Sequence, residues 1–220
     1  SFATHNLTLS LIVSVAWAFI LFTFAPLIIR FYELEPHIAA NAINYLRIVS
    51  TAFPFVFMSA AFTGIFNAGG RSKIPFTING IGLVANMILD PLFIFVFDWK
   101  TDGAALATWL AQACVFGLFV YQLKFKKILW EDFRFFGKLK KVYTTRIIKI
   151  GLPVATLNTL FAFVNMFLGR TASTVGGHIG LMAMTTSGQI EAITWNTSQG
   201  FSTALSAFVE KNKKEKKISR

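Results

Sequence analysis

Long apolar runs interrupted by short charged joints set the pattern of this chain. The first run extends from about Leu7 to Ile29; the second lies between Arg47 and Arg71, and the third between Lys73 and Asp98. The fourth lies between Asp102 and Lys124, the fifth between Lys149 and Arg170, and the sixth between Arg170 and Glu210. Each is long enough for a helix to cross a hydrocarbon layer of ~30 Å, which takes roughly 20 residues. Backbone groups in lipid must be satisfied within the segment, and the two-residue alternation of a membrane barrel is absent, so the runs predict six transmembrane helices. The fold class expected is all-α, a polytopic membrane helix bundle.

Composition agrees: 55% of the residues are hydrophobic, 25 are Phe and only 14% are charged, well short of the charge carried by soluble domains. The net charge of +11 would suit a nucleic-acid partner if it were spread over a soluble surface, but it follows the joints instead. Seventeen of the 21 basic residues fall in the 71–73 loop, the 124–149 connector and the tail after Val209. The positive-inside rule places those three positions in the cytoplasm and residues 98–102 outside. This excludes nucleic acid and points to multiple passes through the cytoplasmic (inner) membrane. Cys114 is the single cysteine, so no intrachain disulfide forms.

The connector, residues 124–150, interleaves Lys and Arg with Phe, Leu, Ile and Trp, as expected of a helix lying among anionic headgroups. It divides the chain into four spans over 1–123 and two over 151–209, with a basic cytoplasmic tail over 210–220. Ala60, Gly64 and Ala68, and again Gly103, Ala107 and Ala111, recur every fourth residue, a spacing that lets helices approach closely in lipid. Pro54 and Pro91 should bend their helices or free a carbonyl, whereas Pro153 opens a span and costs little.

The third run carries an acid, Asp90, as its only charge. Asn79, Asn86 and Asp90 share one side of that helix. On the fourth span Thr108 and Gln112 also lie four apart. Asp90 lies ~12 Å along its helix from Asp98, and Thr108 ~9 Å from Asp102, so the two fall at similar depth in the outer half of the membrane. If the two helices face one another, Asp90, Asn86, Thr108 and Gln112 form one polar cluster. A carboxylate there is costly when charged, and desolvation raises its pKa, so it can carry a proton or help hold Na⁺. The plainer alternative is that Asp90 pairs with Arg47 or caps the backbone freed by Pro91. In the sixth span Glu191, Trp195, Ser198 and Ser202 share a face, which lines a water-filled cavity or else packs against other helices. His5, His37 and His178 lack metal-ligand spacing, and no phosphate loop or Ser/His/Asp set exists, so no enzyme and no cofactor is expected.

GIFNAGGRSKIPF (64–76), NMILDPLFIF (86–95), GAALATWLAQ (103–112), GLP (151–153) and QIEAITWNTSQGFSTALSAFVEKN (189–212) occur in an order and spacing that resemble the multidrug and toxic compound extrusion (MATE) family, in its DNA-damage-inducible F-like prokaryotic branch. The resemblance implies a twelve-helix, two-lobe fold of which this chain covers helices three to eight. It further implies an antiporter that expels lipophilic cationic small molecules in exchange for H⁺ or Na⁺ by alternating access, embedded in membrane lipids with the remaining helices as partners. By the same resemblance Asn86 and Asp90 match the polar pair of the fifth helix, Thr108 the hydroxyl of the sixth and Tyr45 the tyrosine of the fourth; together they would form the ion-binding set. Gln112, Glu191, Trp195, Ser198 and Ser202 would line the cavity, and the only metal implied is Na⁺ at Asp90. Two departures stand out. The acid of the family's first helix has no counterpart, and the expected GQN-GA pattern is replaced by EKNKKEKKISR. The alternatives are a lipid-linked oligosaccharide flippase of the same superfamily, whose cavity would call for several Arg residues, and a truncated, non-transporting membrane protein.

Overall fold

The computed structural model describes the backbone of residues 2–125 and 141–218. Every regular element among them is helical: α1 (Phe2–Arg30), α2 (Pro36–Ser50), α3 (Phe53–Ala68), α4 (Lys73–Pro91), α5 (Lys100–Phe125) and α6 (Lys141–Ile218), with a π-helical turn over Leu92–Val96. The chain divides into two compact units, Ser1–Phe163 and Val164–Arg220. Much of the connector, residues 126–140, lies outside the described residues.

Within the first unit, α1 is a continuous crossing and turns at Phe31–Glu33, where Glu33 adopts a left-handed φ of 52°. The second crossing is made in two pieces. α2 and α3 meet at Thr51–Ala52 with a bend of 47°, and Pro54 sits in the first turn of α3, where its missing N–H breaks no helical bond. The bend attributed to Pro54 thus falls just before it. Pro91, by contrast, stays inside α4, and the chain continues directly into the π turn, closed by the Phe97 N–H donating to the Leu92 carbonyl at 3.1 Å.

The core of this unit is largely aromatic. Phe62, Phe66 and Phe119 are fully buried, beside Leu7, Met58, Ile78 and Val115. Phe119 stacks between α3 residues, with ring centroids 5.7 Å from Phe62 and 5.9 Å from Phe66. Phe55 meets Trp109 edge-on at 5.3 Å. Such pairs contribute about 0.5–1.5 kcal/mol each beyond area burial. Phe55, Phe62 and Phe66 all present to α5, so the α3–α5 seam is set by aromatic side chains.

The α4–α5 seam is set by small ones. A Cβ on Gly82 would fall on a Val115 methyl, and one on Gly103 would come within 2.8 Å of the Phe93 carbonyl oxygen. Ala107 and Ala111 on the same stripe as Gly103 are buried. Of the two small-residue stripes, this one is a helix contact. The other is not: Ala60, Gly64 and Ala68 are exposed, and Gly64 and Ala68 instead line an open apolar cavity of about 410 Å³ with Ala3, Asn6, Ile65, Gly69 and Ile147. The expectation that this stripe packs a neighbour is corrected for the described residues.

α6 is two helical arms joined at Gly177, whose φ of 59° and ψ of −153° are closed to residues with a side chain. A Cβ on Gly180 would strike the carbonyl oxygen of Ala172, an approach a continuous helix rising ~1.5 Å per residue does not allow. The chain therefore reverses at Gly177. Arg170, expected to mark the joint between the fifth and sixth spans, lies within the first arm; one charge near a helix end was insufficient to end it. Among the described residues, four helices are apolar and long enough to cross a membrane, and the bent α2–α3 pair makes a fifth.

Candidate functional site

The polar residues of α4 and α5 are ordered by the seam between those helices. On α4 the contact face runs through Gly82 toward the π turn, and helical periodicity places Asn79, Asn86 and Asp90 together along one flank of it. On α5 the α4-facing stripe is Gly103, Ala107, Ala111 and Val115, while Trp109, Phe116 and Phe119 turn toward α3. Thr108 and Gln112 fall between these two faces. The close approaches of Gly82 to Val115 and of Gly103 to Phe93 also fix the register. In this antiparallel pair Asp90 lies within about one helical turn of the level of Thr108.

Asp90 and Asn86 are both half-buried, and the Asn86 amide donates to Asp90 Oδ1 at 3.3 Å. Thr108 and Gln112 are also half-buried; the Thr108 hydroxyl donates to the Ala104 carbonyl of its own helix at 3.0 Å. That leaves the Thr108 oxygen lone pairs as acceptors. Tyr45 is half-buried on α2, one turn before Ile48, a residue that shares a cavity lining with Leu106 and Trp109 of α5. Among the described residues no hydrogen bond joins Tyr45 or Thr108 to Asp90, and no ion pair joins Asp90 to Arg47. The Arg47 alternative for Asp90 is therefore set aside.

Backbone chemistry around Asp90 favours positive charge. Asp90 is the penultimate residue of α4, just before the helix passes into the π turn. Pro91 has no N–H to give the Met87 carbonyl, and the Leu92 N–H goes to Leu89. A carboxylate and a freed carbonyl thus meet at one point. This donor set suits a proton or a hard monovalent cation. No group of three or more His, Cys, Asp and Glu side chains able to hold a metal ion exists among the described residues.

Asn79 reaches across to α3, its amide 3.5 Å from the Thr63 hydroxyl. Thr63 was missed in the sequence, where its only mark is a hydroxyl beside Gly64 in an otherwise apolar span. In the second unit Glu191, Trp195 and Ser198 are all exposed, Trp195 by 65%. The side chain of Ser202 lies outside the described residues.

Residues 2–92 match the MatE family. The chain is similar to the multidrug export protein MepA of Staphylococcus aureus, strain MSSA476, at 31% identity over 130 residues, 57% of this chain and 28% of that protein. It is also similar to DETOXIFICATION 42 of Arabidopsis thaliana, 38% identical over 80 residues, 36% of this chain and 16% of that one. The backbone superposes on an inward-facing multidrug resistance MATE family transporter of the MOP superfamily with a TM-score of 0.80 at 24% identity, covering 87% of this chain and 44% of the transporter. The outward-facing conformation of such a transporter gives 0.72 at 26% identity, over 87% of this chain and 43% of that one. The chain spans less than half the length of these solved transporters and about a quarter of MepA. It is a multi-pass membrane segment with the MATE transporter fold, and its residues 2–92 carry the match to the MatE family.

Proposed function

We propose that this chain forms part of a secondary exporter in the cytoplasmic membrane that drives lipophilic cations outward in exchange for H⁺ or Na⁺, with Asp90 as the carboxylate that binds the coupling ion. The observation that carries the reading is the Asn86–Asp90 hydrogen bond at the C-terminal end of α4, beside the carbonyl freed by Pro91. Asn86 holds the carboxylate with one oxygen while the other stays open to an ion. Thr108, at the same level on α5, offers acceptor lone pairs, and Tyr45 on α2 would complete the set. Gln112 extends the polar lining inward. In the second unit, the exposed Glu191, Trp195 and Ser198 are the candidate cavity-lining residues.

Ion binding at Asp90 neutralises a charge that the membrane interior disfavours. A bound ion and a bound lipophilic cation then compete for one negative site, and that competition is the coupling of antiport. The full-length transporter carrying Asp90→Asn, reconstituted in vesicles, should lose gradient-driven ethidium efflux while its expression and folding persist. Efflux that persists at the wild-type rate would remove Asp90 from the mechanism. Imposing a Na⁺ gradient or a pH gradient separately then identifies the ion.

A further inference from the structure

Where α4 passes through the π turn toward α5, aromatic rings close on one another. Phe93 lies 5.7 Å from Phe97 and 5.4 Å from Trp99, and Phe97 stacks on Trp99 at 5.3 Å with the ring planes 28° apart. The Trp99 N–H donates to the Phe93 carbonyl at 3.0 Å, and the residues on either side of Trp99, Asp98 and Lys100, both take a left-handed φ, 54° and 47°. That conformation is costly for residues with a side chain and persists where surrounding contacts impose it. The cluster is held in place, and the Phe93 carbonyl behind it rests against Gly103.

Packing does not bury this joint. Phe95 is 79% exposed and Trp99 49%, Val96 and Phe97 are also exposed, and so are the charged Asp98, Lys100 and Asp102 around them. Different surroundings would meet such a surface differently, and its chemistry separates them. Bulk water would leave Phe95, Val96, Phe97 and Trp99 solvated, against the hydrophobic effect. A covering protein helix would take Asp98 and Lys100 out of water together, although no ion pair among the described residues neutralises either. The acyl core of a bilayer would strand the same two charges. The boundary between water and acyl chains suits every part: a ring with a polar tip sits at headgroup level while its charged neighbours stay wet.

We propose that this joint is an interfacial anchor. Trp99, backed by Phe97 and Phe93, sits among the phospholipid headgroups at that end of the helices, and Phe95 and Val96 enter the acyl chains. The indole supplies an N–H donor for the ester and phosphate oxygens at that level. Asp90, ~12 Å along the chain from Asp98, is thereby held at a set depth below the anchor. The inference needs only that α4 and α5 cross the membrane, so it stands or falls apart from the exporter reading.

Brominated phosphatidylcholines test the seat. In vesicles, the tryptophan emission of the unaltered full-length transporter minus that of Trp99→Phe isolates the Trp99 signal. Bromines high on the acyl chain should remove most of that signal, and bromines near the chain end or aqueous iodide much less. Quenching by iodide alone would put Trp99 in water, and insensitivity to every quencher would put protein over it; either result would overturn the anchor. A nitroxide on Phe95→Cys, in a cysteine-free background that keeps Trp99, gives a second reading should Trp99→Phe fold poorly. Oxygen should speed its relaxation more than a water-soluble nickel chelate does. Shielding of the nitroxide from both would count against the proposal in the same way.

Discussion

Gly103 on α5 lies directly beneath the Phe93 carbonyl of the π turn, so close that a single added carbon would come within 2.8 Å of the oxygen. Because the obstacle is backbone, it cannot swing aside. Gly103→Ala should therefore push α5 away from the turn that follows Asp90, at about 1–3 kcal/mol of stability. Thermal unfolding of the detergent-solubilised full-length protein should show a lowered midpoint. An unchanged midpoint would mean that the α4–α5 seam is looser than this contact implies.

Gly82 tests the other end of that seam with a possible rescue. Its neighbour is the Val115 side chain, which is stiff at χ1 but can be trimmed. Gly82→Ala alone should destabilise, and Val115→Ala in the same chain should recover much of the loss. Strict additivity of the two changes would argue against the contact.

The Asn86 amide should matter through ion affinity more than through folding. Asn86→Ala removes one bond to a charged acceptor, so the ion concentration for half-maximal efflux should rise about tenfold with the maximal rate nearly kept. A fall in rate with no change in that concentration would assign Asn86 to another step.

Topology is open to direct chemistry. With Cys114→Ala as background, a cysteine replacing Lys100 should react with an impermeant maleimide added outside intact cells. Labelling from the cytoplasmic side alone would reverse every crossing and move Asp90 to the inner half.

Most crossings were legible because charge in lipid is rare, so most joints show themselves; the Asn86–Asp90 face was legible because 3.6-residue periodicity is independent of context. What the sequence hid depended on partners or on backbone. Arg170 looked like an end, yet a helix near the interface can carry one Arg, and the reversal fell instead at Gly177, whose φ of 59° with ψ of −153° calls for glycine. The Gly176–Gly177 pair was the available signal. The stripes Ala60–Gly64–Ala68 and Gly103–Ala107–Ala111 are alike as strings, and only the placement of α4 distinguishes a filled groove from an open one. Thr63 has no helical pattern to mark it, since its role comes from Asn79 on another helix.

The corner between α2 and α3 has a further consequence. Ser50 returns its hydroxyl to the Arg47 carbonyl and Thr51 to that of Ile48, each at 2.7 Å, and the Thr51 and Ala52 amides bond back to Ile48 and Val49. A break in mid-membrane ordinarily recruits water to its loose backbone groups. Here the chain supplies several of those bonds itself, which leaves fewer backbone groups at the corner for water to satisfy. In an ion-driven exporter of the kind proposed, a self-bonded corner would serve as insulation, bending the polypeptide without short-circuiting the supply.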